Sequence, residues 1–357
     1  MIIKLNPSSL SSRHNPDSIH SAKLEKKKLF THLFADDYQL NIDWSTLETF
    51  LSCDRASEWK LVFGRCSKSR SALTYGAAIH AGLEVAARRT EGLSDEDLLR
   101  QALAATEIPF IENPASPGEW RSYESACKTV TKYLSHYKGE AMQVVEHEGS
   151  PLIEVGFSLP LGTIPVNSKL EYDGATLVKN HQGCHPDNKE PLFIENLHVN
   201  WTGIIDKVVS LHNKLWVLDH KTTSMFGPDY FDDFELSTQP IGYQWAMEQV
   251  LKQPLGGYII DVIVGGKPLK SGDQRIEFHR HFYDRAQWKL DEWPKNTLQL
   301  VSDLIHNLTR GYFPQKTSHC RGKYGKCQYF DTCNLPPNQR LMYLFSDSYQ
   351  DFTWSPI

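Results

Sequence analysis

Several features of other protein classes are missing from this 357-residue sequence. No run approaches the roughly 18 consecutive apolar residues that a membrane-spanning helix needs. The first residues lack the charged and then apolar profile of a secretory signal. Gly and Pro, at 22 and 19 residues, are near average, so no long low-complexity region is implied. We therefore expect a cytoplasmic protein whose length allows one large domain or two small ones.

A strong excess of either charge is also missing, because the formal net charge is −5. A nucleic-acid-binding protein more often shows a basic patch or a high isoelectric point, so the overall charge does not indicate one. It does not exclude an enzyme that handles DNA through metal ions. Such an enzyme carries acidic metal ligands, and its basic residues can be confined to the DNA-binding surface without giving the whole chain a positive charge.

Cysteine is present, but in an odd number. Seven cysteines in a cytoplasmic chain do not suggest a disulfide framework. Three of them, Cys320, Cys327 and Cys333, crowd together near the C-terminus. Thiolates at such spacing indicate a metal ion or an iron–sulfur cluster rather than core residues. Three ligands are one short of the usual four.

The order of the predicted elements indicates an α/β fold. Apolar periodicity and capping signals predict a mostly helical part over residues 23–150 and a strand-rich core over 151–310. That order favours a mixed sheet flanked by helices. We expect residues 1–22 to be flexible, 162–198 to form a loop-rich insertion and 311–357 to form a cysteine-containing tail.

Individual elements can be placed on the sequence. A helix is predicted to begin within 24–34, and Asp43 or Ser45 is the expected N-cap of the next one. The other predicted helices cover residues 43–63, 75–89, 94–106, 120–137, 237–251 and 285–309. The predicted strands cover residues 152–159, 199–210, 214–222, 257–265 and 275–283.

The most informative segment is 203–223, which reads as a β-hairpin. A two-residue turn at 212–213 suits Asn at its second position. The register of that turn places Asp206 opposite Asp219, and directly opposed residues point to the same face of the sheet. Lys221 lies two residues beyond Asp219, so it points to that face as well.

Two carboxylates this close repel each other and need a compensating partner. A bound divalent cation supplies it, and oxygen ligands suit magnesium or manganese. The alternative is a surface hairpin with an incidental network of charges. The apolar runs before Asp206 and Asp219 argue against that alternative, because they predict burial and buried carboxylates require compensation.

Four further residues stand in recognisable contexts. His80 ends the helical segment Tyr75-Gly76-Ala77-Ala78-Ile79-His80. Gln239 and Tyr243 are four residues apart and so share one helix face. Glu154 lies on the predicted strand LIEVGF. Each of these alone would be read as a packing or surface residue.

Taken in order with Gly203-Ile204-Ile205-Asp206 and Asp219-His220-Lys221, these segments resemble the PD-(D/E)XK nuclease superfamily. The likeness is specifically to its RecB-like branch, which includes iron–sulfur nucleases of CRISPR adaptation and phage exonucleases. The resemblance covers residues 47–335 approximately. No single motif is specific, but five elements in the expected order are much stronger evidence.

The resemblance implies a restriction-endonuclease-like core that hydrolyses DNA phosphodiesters. Mg²⁺ or Mn²⁺ would be bound by His80, Asp206, Asp219 and the backbone carbonyl of His220, with Lys221 assisting the attacking water. Gln239 and Tyr243 would lie near the active site and help hold it or the DNA. Glu154 would then act at the site from the first core strand. The alternative is that it is an exposed strand residue without a role at the site.

The resemblance also supplies a fourth cysteine ligand. In the iron–sulfur nucleases of this branch that ligand lies upstream of the histidine helix, where this chain has Cys53. A 4Fe–4S cluster on Cys53, Cys320, Cys327 and Cys333 would then join the N- and C-terminal regions. The chain departs from the branch in its x6 spacing after Cys320 and in Asp54 after Cys53. Zinc at these cysteines, and Cys66 in place of Cys53, remain alternatives.

The resemblance suggests an exonuclease that acts on DNA ends or single strands in recombination, repair or phage DNA processing, in a bacterial or phage-infected host cell. No GxxxxGK[ST] loop is present, so the chain has no helicase motor of its own and leaves room for a helicase or recombination partner. The competing functions are a non-catalytic DNA-binding module that kept the fold, a zinc-stabilised structural protein and a sequence-specific endonuclease.

Overall fold

A computed structural model describes residues 30–34, 37–67, 71–89, 92–172, 177–178, 183–184, 191–268, 270–271, 273–322 and 325–352. The segment predicted to be flexible, 1–22, lies outside these residues. Within them, no helix is both long and apolar enough to cross a membrane.

Ten α-helices are described, with a π-helical turn at Glu58–Val62 and a 3₁₀ turn at Thr317–His319. The helices are α1 (Trp44–Ser52), α2 (Asp54–Ser57), α3 (Ser71–Ala87), α4 (Asp95–Glu112), α5 (Tyr123–His136), α6 (Asp232–Glu235), α7 (Thr238–Leu251), α8 (Gln287–Arg310), α9 (Phe330–Cys333) and α10 (Pro337–Leu344).

The described strands are β1 (Phe30–Phe34), β2 (Asp37–Ile42), β3 (Arg65–Ser67), β4 (Gln143–Val144), β5 (Glu146–His147), β6 (Ser150–Pro151), β7 (Ile153–Tyr172), β8 (Leu177–Val178), β9 (Gly183–Cys184), β10 (Pro191–Leu211), β11 (Lys214–Thr223), β12 (Gly257–Pro268), β13 (Gln274–Tyr283), β14 (Arg321–Gly322), β15 (Gly325–Lys326) and β16 (Tyr349–Asp351).

Two helix predictions need correction. The helix predicted over 43–63 is divided: Asp43 caps α1, as predicted, but the extended backbone of Cys53 ends it and α2 starts afresh. The helix predicted to begin within 24–34 was wrong for its described part, because Phe30–Phe34 form β1, and residues 24–29 lie outside the described residues. Antiparallel pairing with β2 there outweighs the local helical pattern.

The prediction of a loop-rich insertion over 162–198 was also wrong for its described part. Strand β7 continues to Tyr172 and β10 begins at Pro191. Ile164 is buried between exposed Thr163 and Pro165, which is the period-two alternation of a strand. The Gly and Pro residues in this stretch obscured that alternation in the sequence.

The chain forms two compact units, each assembled from separate stretches. The first unit comprises Met1–Lys68, Gly156–Gly203 and Asp291–Ile357, and the second comprises Ser69–Val155 and Ile204–Leu290. The segments predicted along the sequence, 23–150 and 151–310, each contribute to both units.

The first unit contains parallel pairing of β2 with the N-terminal part of β10 and antiparallel pairing of β3 with β16. Trp201 of β10 is fully buried, and its ring packs edge-on against Trp293 of α8 at 5.0 Å. The C-terminal cysteines and Cys53 all belong to this unit.

The second unit contains a mixed sheet with helices on both faces. The C-terminal part of β10 is antiparallel to β11, β11 is parallel to β12, and β12 is antiparallel to β13. Helices α3, α4 and α5 share a buried apolar core with Ile263 of β12. Lys221 of β11 points to the opposite face, where it contacts Gln239 of α7. This arrangement confirms the predicted mixed sheet flanked by helices.

Gly82 lets α3 approach α4 closely. A methyl group at Gly82 would lie 2.5 Å from Thr106 Oγ1 and 3.1 Å from the carbonyl oxygen of Ala102. Since real carbon atoms do not approach oxygen to 2.5 Å, the two helices or the Thr106 side chain would have to move.

We predict that Gly82→Ala lowers the free energy of unfolding by about 1–3 kcal/mol, although alanine is the better helix former. Gly227→Ala is the matched control, because a methyl group there meets nothing within 4 Å. Denaturant titration of both variants measures the difference. Equal stability of the two variants would contradict the close approach of α3 and α4.

Candidate functional site

The β10–β11 hairpin has the register that the sequence predicted. His212 and Asn213 form the turn with φ values of 50° and 60°, and Leu211 pairs with Lys214. The ladder continues to Lys207 opposite Leu218 and ends there. Asp206 is therefore the first residue beyond the paired ladder, next to Asp219.

Asp206 accepts hydrogen bonds at this end of the ladder. Its Oδ2 accepts from the backbone N–H of His220 at 2.7 Å and lies 3.0 Å from His220 Nδ1. The same oxygen lies 3.5 Å from His80 Nδ1, on α3. One carboxylate oxygen thus faces one backbone donor and two imidazole nitrogens.

His80, Asp206 and His220 form a group whose ligand atoms all lie within 4.8 Å of one another. Nitrogen and oxygen donors this close fit a divalent cation, since bonds of about 2.1 Å to one ion place neighbouring ligand atoms about 3 Å apart. The group contains two of the residues predicted as ligands, His80 and Asp206. It adds the His220 imidazole, which the sequence analysis considered only for its backbone carbonyl.

Asp219 and Lys221 form a pair beside this group. Lys221 Nζ lies 2.6 Å from Asp219 Oδ2 and donates to Gln239 Oε1 at 3.0 Å. Asp219 is only 4% exposed. Tyr243 lies one turn after Gln239 on α7 and is buried. The structure therefore brings Lys221 together with both Asp219 and Gln239.

Burial and neighbouring charges shift the pKa values of Asp206 and Asp219 in opposite directions. Burial raises the pKa of Asp219, with the Asp206 charge adding to the effect and Lys221 opposing it. Burial also opposes the charge of Asp206, but His80 and the hydrogen bonds from His220 and His80 outweigh it and hold the pKa of Asp206 well below its usual range.

The two histidines differ in the same way. Burial lowers the pKa of His220 to about 4, and the nearby Lys207 ammonium acts in the same direction. Burial also works against a charged His80, yet the Asp206 and Asp219 charges raise its pKa to about 9. An environment that separates the titration of neighbouring groups this strongly is typical of functional sites.

Glu154 lies near these groups on β7. Burial raises its pKa to about 8, with the Asp206 and Glu84 charges adding to the effect. Its φ is 49°, a left-handed value that side chains other than Gly rarely adopt. Backbone strain of this kind costs about 1–3 kcal/mol and clusters at functional sites, which favours a site role for Glu154 over the alternative of an exposed strand residue.

A buried network that the sequence analysis missed extends from His220. Tyr133 of α5 lies with its hydroxyl 3.2 Å from His220 Nε2 and donates to Asp261 Oδ2 at 2.6 Å. Arg280 donates to the same Asp261 oxygen at 2.6 Å and to the Tyr133 hydroxyl at 3.1 Å. Arg280 also pairs with Glu140. The Asp that follows Ile259-Ile260 in an apolar strand was the one available signal of this network.

The four predicted cluster cysteines lie around one small cavity of the first unit. Cys53, Cys320, Cys327 and Cys333 all line it, together with Trp59 and Tyr329 among others. Burial raises the pKa of Cys333 to about 11, and the three other thiols add to that effect. Four thiols in one partly buried place fit a metal-containing group, whose positive charge would stabilise the thiolates.

Hydrogen bonds also point at these sulfur atoms. The backbone N–H of Lys316 donates to Cys53 Sγ at 3.4 Å, and Gln315 Nε2 donates to Cys320 Sγ at 3.8 Å. Cys66 lies on β3, is not among the residues that line the cavity, and accepts from Gln350. The arrangement favours Cys53 over Cys66 as the fourth member.

One comparison with known proteins supports the family that the motifs resemble. A family model described as the PD-(D/E)XK nuclease superfamily matches residues 44–334. No curated protein matches the chain. The crystal structure of SSO0001 aligns with 72% of this chain and 82% of that chain, at 10% identity and a TM-score of 0.24. A TM-score this low carries no argument about fold or function.

The Arg280 network gives a prediction on stability. The Asp261 side chain is fully buried, so Arg280→Ala would leave its charge without the guanidinium and should lower the free energy of unfolding by about 3–5 kcal/mol. Arg275→Ala on the same strand is the control, because Arg275 and Glu277 are both exposed and such pairs contribute at most about 1 kcal/mol. Denaturant titration compares the two, and a loss below 1 kcal/mol for Arg280→Ala would contradict the network.

Proposed function

Because the chain belongs to the PD-(D/E)XK nuclease superfamily, we propose that it is a metal-dependent deoxyribonuclease that degrades DNA as an exonuclease, from ends or along single strands. One observation carries the proposal: the hairpin and α3 gather Asp206, Asp219, Lys221 and His80 at one place. The buried Asp219 and the partly buried Asp206, beside a lysine and a histidine, are the kind of residues that hydrolysis of a phosphodiester by a bound metal requires.

The proposed metal ligands are His80, Asp206, Asp219 and the backbone carbonyl of His220, with Mg²⁺ or Mn²⁺ as the ion. A bound ion of this kind polarises a phosphoryl oxygen and lowers the pKa of attacking water. Two electrostatic features of the site favour the binding of a cation. The Asp206 carboxylate stays ionised, and the burial that makes the Asp219 charge costly is offset when a cation binds beside it.

Lys221 is the proposed positioning and charge-stabilising residue. Its ammonium is held between Asp219 and Gln239, so its location is fixed before any substrate binds. A fixed donor costs no reorganisation when negative charge develops on the phosphoryl oxygens. Gln239 orients Lys221 directly, and Tyr243 supports α7 from the buried side.

The proposals that the protein is an exonuclease and that it belongs to the RecB-like branch are based on the cysteines as well as on the motifs. We infer a 4Fe–4S cluster on Cys53, Cys320, Cys327 and Cys333. Zinc at the same four thiols is the alternative, and the iron–sulfur branch that the motifs resemble favours the cluster.

The same branch assigns the protein to recombination, repair or phage DNA processing, in the cytoplasm of a bacterial or phage-infected host cell. DNA is the proposed partner, and a helicase or recombination protein would supply the motor that this sequence does not encode in a GxxxxGK[ST] loop.

Cleavage of end-labelled DNA tests the proposed activity. Wild-type protein should degrade linear single- or double-stranded DNA with Mg²⁺ or Mn²⁺ and not with EDTA. Asp219→Asn and Lys221→Ala should each lower the rate by about 100-fold or more, because the first removes a charged metal ligand and the second removes the donor that stabilises charge on the reacting phosphate. Closed circular DNA should survive, since an exonuclease requires an end.

Lys214→Ala is the matched control for Lys221→Ala. Lys214 lies on the same strand, is exposed and stands at the hairpin turn, so its loss should leave the rate unchanged. Metal-dependent cutting of circles would replace the exonuclease with an endonuclease. DNA binding without cleavage under either metal would favour a non-catalytic module and contradict the enzyme.

Metal analysis of protein purified without oxygen tests the cluster. We expect a brown protein with about four iron atoms and matching sulfide per chain. Cys53→Ser should lose the iron and the colour, and Cys66→Ser should keep both because Cys66 lies on β3 away from the cavity. One zinc and no iron per chain, or loss of iron only in Cys66→Ser, would contradict this assignment.

A further inference from the structure

The His220 imidazole stands where a metal ligand is expected, within the group that also contains His80 and Asp206. We propose that His220 binds the catalytic metal through Nδ1, that Tyr133 and Asp261 hold its ring in that orientation, and that the resulting pair of imidazole ligands favours Mn²⁺ over Mg²⁺. The inference rests on the proposed function, since it concerns the same metal centre.

The hydrogen bonds of the Tyr133 hydroxyl favour one tautomer of His220. The Tyr133 hydroxyl has one hydrogen, and it donates this to Asp261 at 2.6 Å. The hydroxyl oxygen accepts from Arg280 at 3.1 Å. Its remaining contact, with His220 Nε2 at 3.2 Å, is a hydrogen bond only when Nε2 is the donor. The buried network therefore favours the Nε2–H tautomer, which leaves Nδ1 available to a metal ion.

That tautomer leaves a lone pair on His220 Nδ1. In this tautomer the lone pair faces Asp206 Oδ2 at 3.0 Å, an arrangement that a cation between the two atoms would stabilise. Asp206 Oδ2 and His80 Nδ1 are 3.5 Å apart, and the rings of His80 and His220 are almost perpendicular. Both imidazoles therefore direct Nδ1 toward the Asp206 carboxylate.

The spacing and the surroundings match a metal ligand. Two ligand atoms bonded at about 2.1 Å to one ion lie about 3.0 Å apart at a right angle, which is the observed separation of His220 Nδ1 from Asp206 Oδ2. A metal-bound histidine usually donates its other N–H to a hydrogen-bond acceptor, which fixes the ring. Tyr133 occupies that position, and Asp261 with Arg280 fixes Tyr133 in turn.

The donor set has a consequence for metal selectivity. Mg²⁺ prefers oxygen ligands and an octahedral set rich in water, whereas imidazole suits first-row transition ions better. A site with two imidazoles should therefore bind Mn²⁺ more tightly than Mg²⁺. Removal of one imidazole should weaken Mn²⁺ binding more than Mg²⁺ binding.

Electron spin-echo spectroscopy of bound Mn²⁺ tests the ligand directly, without any assay of activity. Wild-type protein with ¹⁵N-labelled histidine should show two directly coupled histidine nitrogens. His220→Gln and His80→Ala should each show one. His281→Ala is the control, since His281 is exposed and points to the sheet face opposite Arg280, and it should keep both couplings.

Isothermal titration of the same proteins with Mn²⁺ and with Mg²⁺ provides the second readout. Tyr133→Phe should weaken Mn²⁺ binding by about tenfold, because it removes the acceptor for His220 Nε2–H while keeping the ring. His220→Gln should lower the affinity for Mn²⁺ by about tenfold or more and that for Mg²⁺ by less.

One coupled nitrogen in wild-type protein, lost in His80→Ala, would overturn the proposal and leave His220 as a residue that only positions Asp206. The wild-type measurement requires no variant to fold. Two coupled nitrogens without any DNA cleavage would retain the metal centre and overturn the nuclease instead. Metal-dependent cleavage with a single coupled nitrogen would retain the nuclease and overturn the role of His220.

Discussion

The register of the β10–β11 hairpin is the constraint on which the candidate active site depends. The left-handed turn at His212 and Asn213 fixes it, and a slip of one residue would send every side chain of one strand to the other face. Backbone pairing between β10 and β11 stops at Lys207. The backbone N–H of His220 therefore donates to the Asp206 carboxylate rather than to a backbone carbonyl of β10. The same β11 strand presents Asp219 and Lys221 to α7 and His220 to α5, so one strand supplies both sides of the site.

Compensation of buried charge is the second theme. Asp219, Asp261 and Arg280 are drawn from different elements, yet each has a partner of opposite charge within about hydrogen-bond distance. Where the compensation is incomplete, around Asp206, two imidazoles and one backbone donor converge on a single oxygen. That convergence is what makes a cation the natural occupant, and it links the fold of the second unit to metal-dependent nuclease chemistry.

Local signals made much of this predictable from sequence. The Asn at the turn predicted the hairpin, and residue patterns predicted α3, α7 and β12. The (i, i+4) spacing placed Gln239 and Tyr243 on one helix face, and the family resemblance implied that this face lies near the active site. The Tyr133–Asp261 contact joins residues 128 positions apart, and no local pattern encodes it. The role of the His220 imidazole was missed for a related reason. Alternation along β11 places this imidazole on the sheet face opposite Lys221, and no local sequence pattern identifies the helix that it contacts there. The continuation of β7 beyond the predicted strand 152–159 was missed because Gly162 and Pro165 interrupt its apolar composition.

The most direct test of this metal centre is anomalous diffraction at the manganese edge from crystals of the wild-type protein grown with Mn²⁺. We expect one strong peak in the second unit within bonding distance of Asp206 Oδ2 and His80 Nδ1, with Asp219 beside it. A fully bound Mn²⁺ elsewhere, with the Asp206 carboxylate still bonded only to His220, would contradict the assignment of this hairpin as a metal-dependent nuclease centre.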